Sequence, residues 1–141
     1  MGYALFTLRK LTLTTRINQC NAQAMMNSQR AMTLTQQIYA KQNARNQASN
    51  AATTQAYAKY QASVDAGVDF SVAKVSLDEE MAKIDAQASL TDAEIQKLTL
   101  MQTAMDMERQ TLETQLNSYQ QELESVKKAE ESAIKNSTPK F

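Results

Sequence analysis

An all-α fold, a long antiparallel helical hairpin or coiled coil with a short extended connector and one short helix, is what this sequence predicts. Three observations point there. The chain has 141 residues yet only two Gly, one Pro and no Trp, too few turn residues for many short elements. Apolar residues recur at alternating spacings of three and four along both halves. Between Tyr3 and Val64 no Gly or Pro interrupts helical structure.

The first element expected is a basic, Gln/Asn/Ala-rich helix over residues 1–64. Leu13, Ile17, Cys20, Ala24, Ala31, Leu34 and Ile38 form its heptad-like stripe, with Asn27 as the polar intruder. Farther on, Ala40, Ala44, Ala48, Ala52 and Ala56 recur every four residues, a ridge of small side chains that a second helix backbone can approach closely. Tyr57, Tyr60 and Val64 broaden the stripe at its end. Nine Gln and, besides Asn27, five Asn dress the remaining surface of this half. Such an uncharged polar surface is either an ordinary solvated face or one buried against copies of the protein, where amides hydrogen-bond without the desolvation penalty of charges.

Residues 65–75 read as an extended connector. Asp65-Ala66-Gly67 has turn chemistry, and Val68-Asp69-Phe70-Ser71-Val72 alternates with period two, which would pack Val68, Phe70 and Val72 onto the helices or, as the alternative, offer an edge that pairs between subunits. Ser76 with Glu79 forms a capping box that opens a short helix over 76–88 through Met81 and Ile84. A second box, Thr91 with Glu94, and a hydrophobic staple between Leu90 and Ile95 open an acidic coiled-coil helix over 91–135. Its seam runs Ile95, Leu98, Gln102, Met105, Arg109, Leu112, Leu116, Tyr119, Leu123, Val126, Glu130 and Ala133, of which nine are apolar, so this is a sustained coiled-coil register. Gln102, Arg109 and Glu130 are its polar members. Residues 136–141, with Pro139, form a tail that stops the helix. At 1.5 Å per residue the two long helices would measure roughly 90 Å and 65 Å.

Charge divides the chain more sharply than its net of zero suggests. Residues 1–64 hold seven cations (Arg9, Lys10, Arg16, Arg30, Lys41, Arg45, Lys59) and no acid, whereas residues 65–141 hold all fifteen carboxylates against eight cations. Complementary halves of this kind can pair within one chain, pair between neighbouring subunits, or present the basic half to a polyanion.

The residue inventory excludes most chemistry. Without His, and with a lone Cys20, neither a Cys/His nucleophile nor a Cys/His metal set can be composed, and no Gly-rich loop is present to cradle phosphate. The acids Asp78, Glu79, Glu80 and Asp85 lie on an expected helix, where they complement its N-terminal dipole. No catalytic residue, cofactor or metal is therefore expected. Seven cations spread over 64 residues are too sparse for a nucleic-acid groove, and no run approaches the ~18 apolar residues of a spanning helix. Tyr3 to Leu8 has no basic segment before it and so fails as a cleavable signal peptide, leaving cytoplasmic residence or export without cleavage.

The Gln/Asn/Thr/Ala-rich N-terminal helix (Thr12 to Gln37), the C-terminal coiled-coil helix and the lack of Trp together resemble secreted helical filament subunits of the flagellin and type III secretion kind. The resemblance is one of layout. It implies terminal helices that pair and stack into a tube. The tail Lys135-Asn136-Ser137-Thr138-Pro139-Lys140-Phe141 departs from the apolar C-terminus of flagellins, and no residue role is carried over.

The function expected is that of a non-enzymatic, self-assembling subunit of a helical filament, sheath or secretion-related appendage, with itself as principal partner. Its assembly seam would comprise Leu13, Ile17, Ala24, Ala31, Leu34 and Ile38 with Ile95, Leu98, Met105, Leu112, Leu116, Tyr119, Leu123 and Val126. The alternative is a coiled-coil adaptor or chaperone-like module that binds a helical partner protein, and, ranked below it, a binder of anionic surfaces or nucleic acid through the basic half.

Overall fold

A computed structural model describes residues 2–137. It contains two helices, α1 (Gly2–Asp65) and α2 (Phe70–Ser137), and no strand among the described residues. They pack against each other as a helical hairpin. Contacts between them run antiparallel: Cys20 meets Gln115, Asn27 meets Met105, Lys41 meets Glu94, and Tyr60 meets Phe70.

The turn lies where Asp65-Ala66-Gly67 places it, and its backbone explains why glycine is needed. Gly67 has φ +88°, in the left-handed region. Its N–H donates to Val64 O at 3.1 Å while Val68 N–H donates to Ser63 O at 3.0 Å. These two bonds make a Schellman motif that satisfies carbonyls left over at the end of α1. Two residues later Asp69 O accepts from Ala73 N–H at 3.0 Å, which makes Asp69 the N-cap position of α2.

The connector is therefore shorter than residues 65–75, and the extended reading of Val68 to Val72 is corrected. From Phe70 the chain is helical, so a period-two pattern cannot keep three side chains on one face. Val68, Phe70 and Val72 are exposed, and Ala73 takes the inward position. Phe70 does touch α1, edge to face with Tyr60 at 6.2 Å.

The separate short helix over 76–88 and the break before Thr91 are likewise corrected, because α2 is continuous through both. Neither capping box starts a helix. Thr91 instead donates its hydroxyl to Gln87 O at 3.2 Å, bonding back within the helix, and Leu90 of the expected staple is exposed. The physical reason lies in the count of backbone groups. A new helix end orphans four N–H and four C=O groups, of which a capping box restores two, whereas a continuing helix leaves none. Residues 71–90 contain no Gly or Pro to force the break. At the far end Asn136 and Ser137 remain helical, and the expected stop at Pro139 lies outside the described residues.

By their contacts the residues divide into two units, Met1–Met32 with Thr103–Phe141, and Thr33–Gln102. In the first, Leu13 is fully buried and Cys20, Asn27 and Leu112 are nearly so. In the second, Leu34, Ala56 and Ala73 are buried. Both cores are thin, as a two-helix contact has one shared stripe to bury.

Candidate functional site

The surface from which any assembly function must be read is the seam between basic α1 and acidic α2, together with the faces it leaves uncovered. All fourteen residues expected on the seam avoid solvent. Leu13, Leu34 and Leu112 are buried, and Ile17, Ala24, Ala31, Ile38, Ile95, Leu98, Met105, Leu116, Tyr119, Leu123 and Val126 are half-buried. They join the two helices of one chain, so this stripe is closed within the hairpin.

In the first unit the seam is organised around polar contacts as well as apolar ones. Asn27 sits between Ala24 and Ala31 at a core position and is 3% exposed. Its Nδ2 donates to Met105 O at 3.0 Å and lies 3.6 Å from Met105 Sδ. A buried amide that finds its partner in only one alignment of the helices specifies register, in the way a polar core residue does in coiled coils. One turn pair away, Cys20 Sγ lies 3.9 Å from Gln115 Oε1, buried and unpaired with any second sulfur. Toward the open end Arg9 pairs with Glu122, Lys10 pairs with Glu130 at 2.5 Å, and the Arg16 guanidinium lies 5.7 Å from the Tyr119 ring centre.

In the second unit Gln102 Nε2 donates to Thr35 Oγ1 at 2.8 Å, so its seam position is a hydrogen-bonding one. Lys41 bonds Glu94 at 2.5 Å, and Arg45 grips Asp92 through Nε and Nη2 at 3.1 and 3.3 Å. Hydrogen-bonded to Lys41 and beside its positive charge, the Glu94 carboxyl is held below the usual glutamate range. Four of the seven α1 cations thus pair with α2 carboxylates inside the chain, the first of the three uses that the charge division allows.

Arg109, most of the alanine ridge and Tyr57 differ from the sequence reading. Arg109 is exposed, because its long charged side chain avoids a thin apolar stripe already filled by Leu112 and Met105. The alanine ridge is mostly outside as well. Ala40, Ala44 and Ala48 are exposed, while Ala52 is half-buried and Ala56 buried. Inward positions pass instead through Lys41, Arg45, Ser49, Ala52, Ala56, Tyr60 and Ser63, rising by four, four and three. That spacing overshoots the helical period where the preceding three-four alternation undershoots it, which rotates a drifting stripe back toward its partner. Counting on from Ile38 past two charged residues would have found it. Charge at Lys41 and Arg45 hides the continuation, although their aliphatic stems cover the seam while their heads reach acids. Tyr57, expected to broaden the stripe, is exposed, while Tyr60 and Val64 are half-buried.

Where small side chains line α1 the seam is incompletely filled. Ala48, Ser49 and Ala52 face Ile84, Gln87 and Ala88 across an open crevice of about 230 Å³, flanked by Arg45, Lys83 and Glu80. Among the described residues no group of three or more His, Cys, Asp or Glu side chains converges to hold a metal ion, and no helix is long and apolar enough to cross a membrane. No protein-family model matches the chain, and neither a curated protein nor a solved structure matches it.

Proposed function

We propose that this protein is a non-enzymatic structural subunit that assembles with copies of itself into a helical filament, sheath or secretion-related appendage. One observation carries the reading. Among the described residues eighteen large apolar side chains are exposed, while six hydrophobic residues are buried. The hairpin therefore closes one stripe and leaves half of its large apolar side chains exposed. The chain exposes 10497 Å². A compact chain of 15.7 kDa exposes about 7,300 Å², so roughly 3,200 Å² is in excess. An excess of that order is what obligate interfaces bury.

The polar part of the surface supports the same reading. Gln, Asn, Thr and Ser dominate the outward face of α1, and such groups can be buried between subunits once they hydrogen-bond. Tubes of stacked terminal helices, as in flagellin-like subunits, would use a hairpin in this way.

Light scattering of the purified full chain across concentration tests the proposal. Open-ended growth is the expected result. A fixed small oligomer would reject the filament in favour of an adaptor that pairs with a different helical protein, and a single copy at every concentration would reject self-assembly altogether.

A further inference from the structure

Building on the self-assembly reading, we propose that the subunits join through a second, outward stripe. The back of α1 in one copy would seat on the back of α2 in the next, within the unit formed by residues 1–32 and 103–141.

The stripe is found by stepping two residues back from each inward position, a rotation of about 200° to the opposite face of the helix. From Leu13, Ala24, Asn27 and Leu34 this step reaches Leu11, Ala22, Met25 and Met32, all exposed. With Leu8, and with exposed polar Thr15, Asn18 and Gln29 between them, they follow the three-four alternation on the other side, and no position from Leu8 to Met32 along this line is charged. On α2 the face opposite Met105, Leu112, Leu116, Tyr119 and Leu123 carries Thr103, Met107, Gln110, Thr114, Asn117 and Gln121, again exposed and again without charge, with Met107 as its apolar residue. Met107, Gln110, Thr111 and Thr114 also line a shallow depression, which suits a knob such as Met25. A two-helix hairpin needs one stripe per helix. Here each helix also carries an uncharged line on its outer face, apolar at Leu8, Leu11, Ala22, Met25 and Met32 on α1 and at Met107 on α2.

Charge decides which stripe meets which. Beside the α1 stripe stand Arg9, Arg16 and Arg30, and the first 64 residues hold no acid, so α1 against α1 would bring arginines together with no carboxylate from either basic segment between them. Beside the α2 stripe stand Asp106, Glu108 and Glu113, with Arg109 as the only cation between residues 98 and 126, so α2 against α2 would crowd carboxylates. Only α1 against α2 opposes unlike charges. Inside the chain Arg9 and Arg16 already have partners in Glu122 and Tyr119, which leaves Arg30 to meet the α2 acids of a neighbour. The intermolecular contact then repeats the solution used inside the hairpin, basic helix on acidic helix.

This geometry has a consequence for the assembly. The two surfaces are different, so each copy uses one and offers the other. A heterologous contact of that kind continues without limit unless its rotation closes a ring.

Two measurements on the full chain test it. In sedimentation velocity, the double variant Met25→Glu with Met32→Glu should raise the concentration needed for assembly at least about tenfold, by placing carboxylates in an apolar contact, while leaving the helical circular dichroism unchanged. In a Cys20→Ser background, chains bearing Met25→Cys are mixed with chains bearing Met107→Cys and oxidised, and crosslinks should join the two kinds in preference to like with like. Unchanged assembly of the double variant, or a predominance of Met25→Cys chains joined to each other, overturns this interface while wild-type growth keeps the proposed function. Absence of assembly by the wild type overturns both.

Discussion

Asn27 Nδ2 reaches across the seam to Met105 O at 3.0 Å, so a buried amide on the basic helix is answered by the backbone of the acidic one. Carbonyl oxygens accept and do not donate, which makes the position selective for an N–H donor. Asn27→Asp would set a carboxylate against that oxygen in a site only 3% exposed. The variant is expected to lose about 3 kcal/mol of stability at neutral pH, measured by urea unfolding. Part of the loss should return in acid, where the introduced group protonates; a loss that does not vary with pH would argue against the contact.

Leu13 and Leu11 are two residues apart on opposite faces, 0% and 63% exposed. Leu13→Ala should therefore cost about 3 kcal/mol through its cavity, whereas Leu11→Ala in dilute solution should change stability by no more than about 0.5 kcal/mol. Thermal melts of both variants read the register directly, and equal effects would refute it.

At Gly67 an added Cβ meets no atom within 4 Å, yet φ is +88°. Gly67→Ala is thus a test of backbone alone. A destabilisation of about 1 kcal/mol is expected, with Gly67→Asn milder because Asn tolerates this conformation better. If Gly67→Ala stabilises the chain, the turn does not have this geometry.

Glu94 provides the pH dependence. Its carboxyl pKa is lowered in the folded chain, first by the hydrogen bond from Lys41 and then by the lysine charge. A lowered folded value means that the ionised form favours folding. The contribution is present above the unfolded glutamate value and disappears as pH falls through the lower folded one. Solvent screening keeps it small. Glu94→Gln should flatten the acid limb of a stability profile in this window, and added salt should flatten that of the wild type; an identical limb in the variant would exclude the pair.

What was legible in the sequence is what local chemistry controls. The absence of Gly and Pro across residues 3–64 determined a long α1, and Asp65-Ala66-Gly67 determined where it stops, because helix propagation and left-handed backbone are properties of short segments. Alternating three-four spacing likewise marked Leu13, Leu34 and Leu112 as inward, since periodicity alone puts them on one face. Tertiary structure decided the rest. Whether Ser76 and Thr91 begin helices depended on α2 finding continuous support along α1, against which a capping box is a preference of about 1 kcal/mol. The exit of Arg109 and the outward turn of Ala40 and Ala44 depended on what stood opposite. Above all, the closing of the apolar stripe between two helices of one chain came from complementary rods meeting through a tight turn, a pairing energy that no single segment contains.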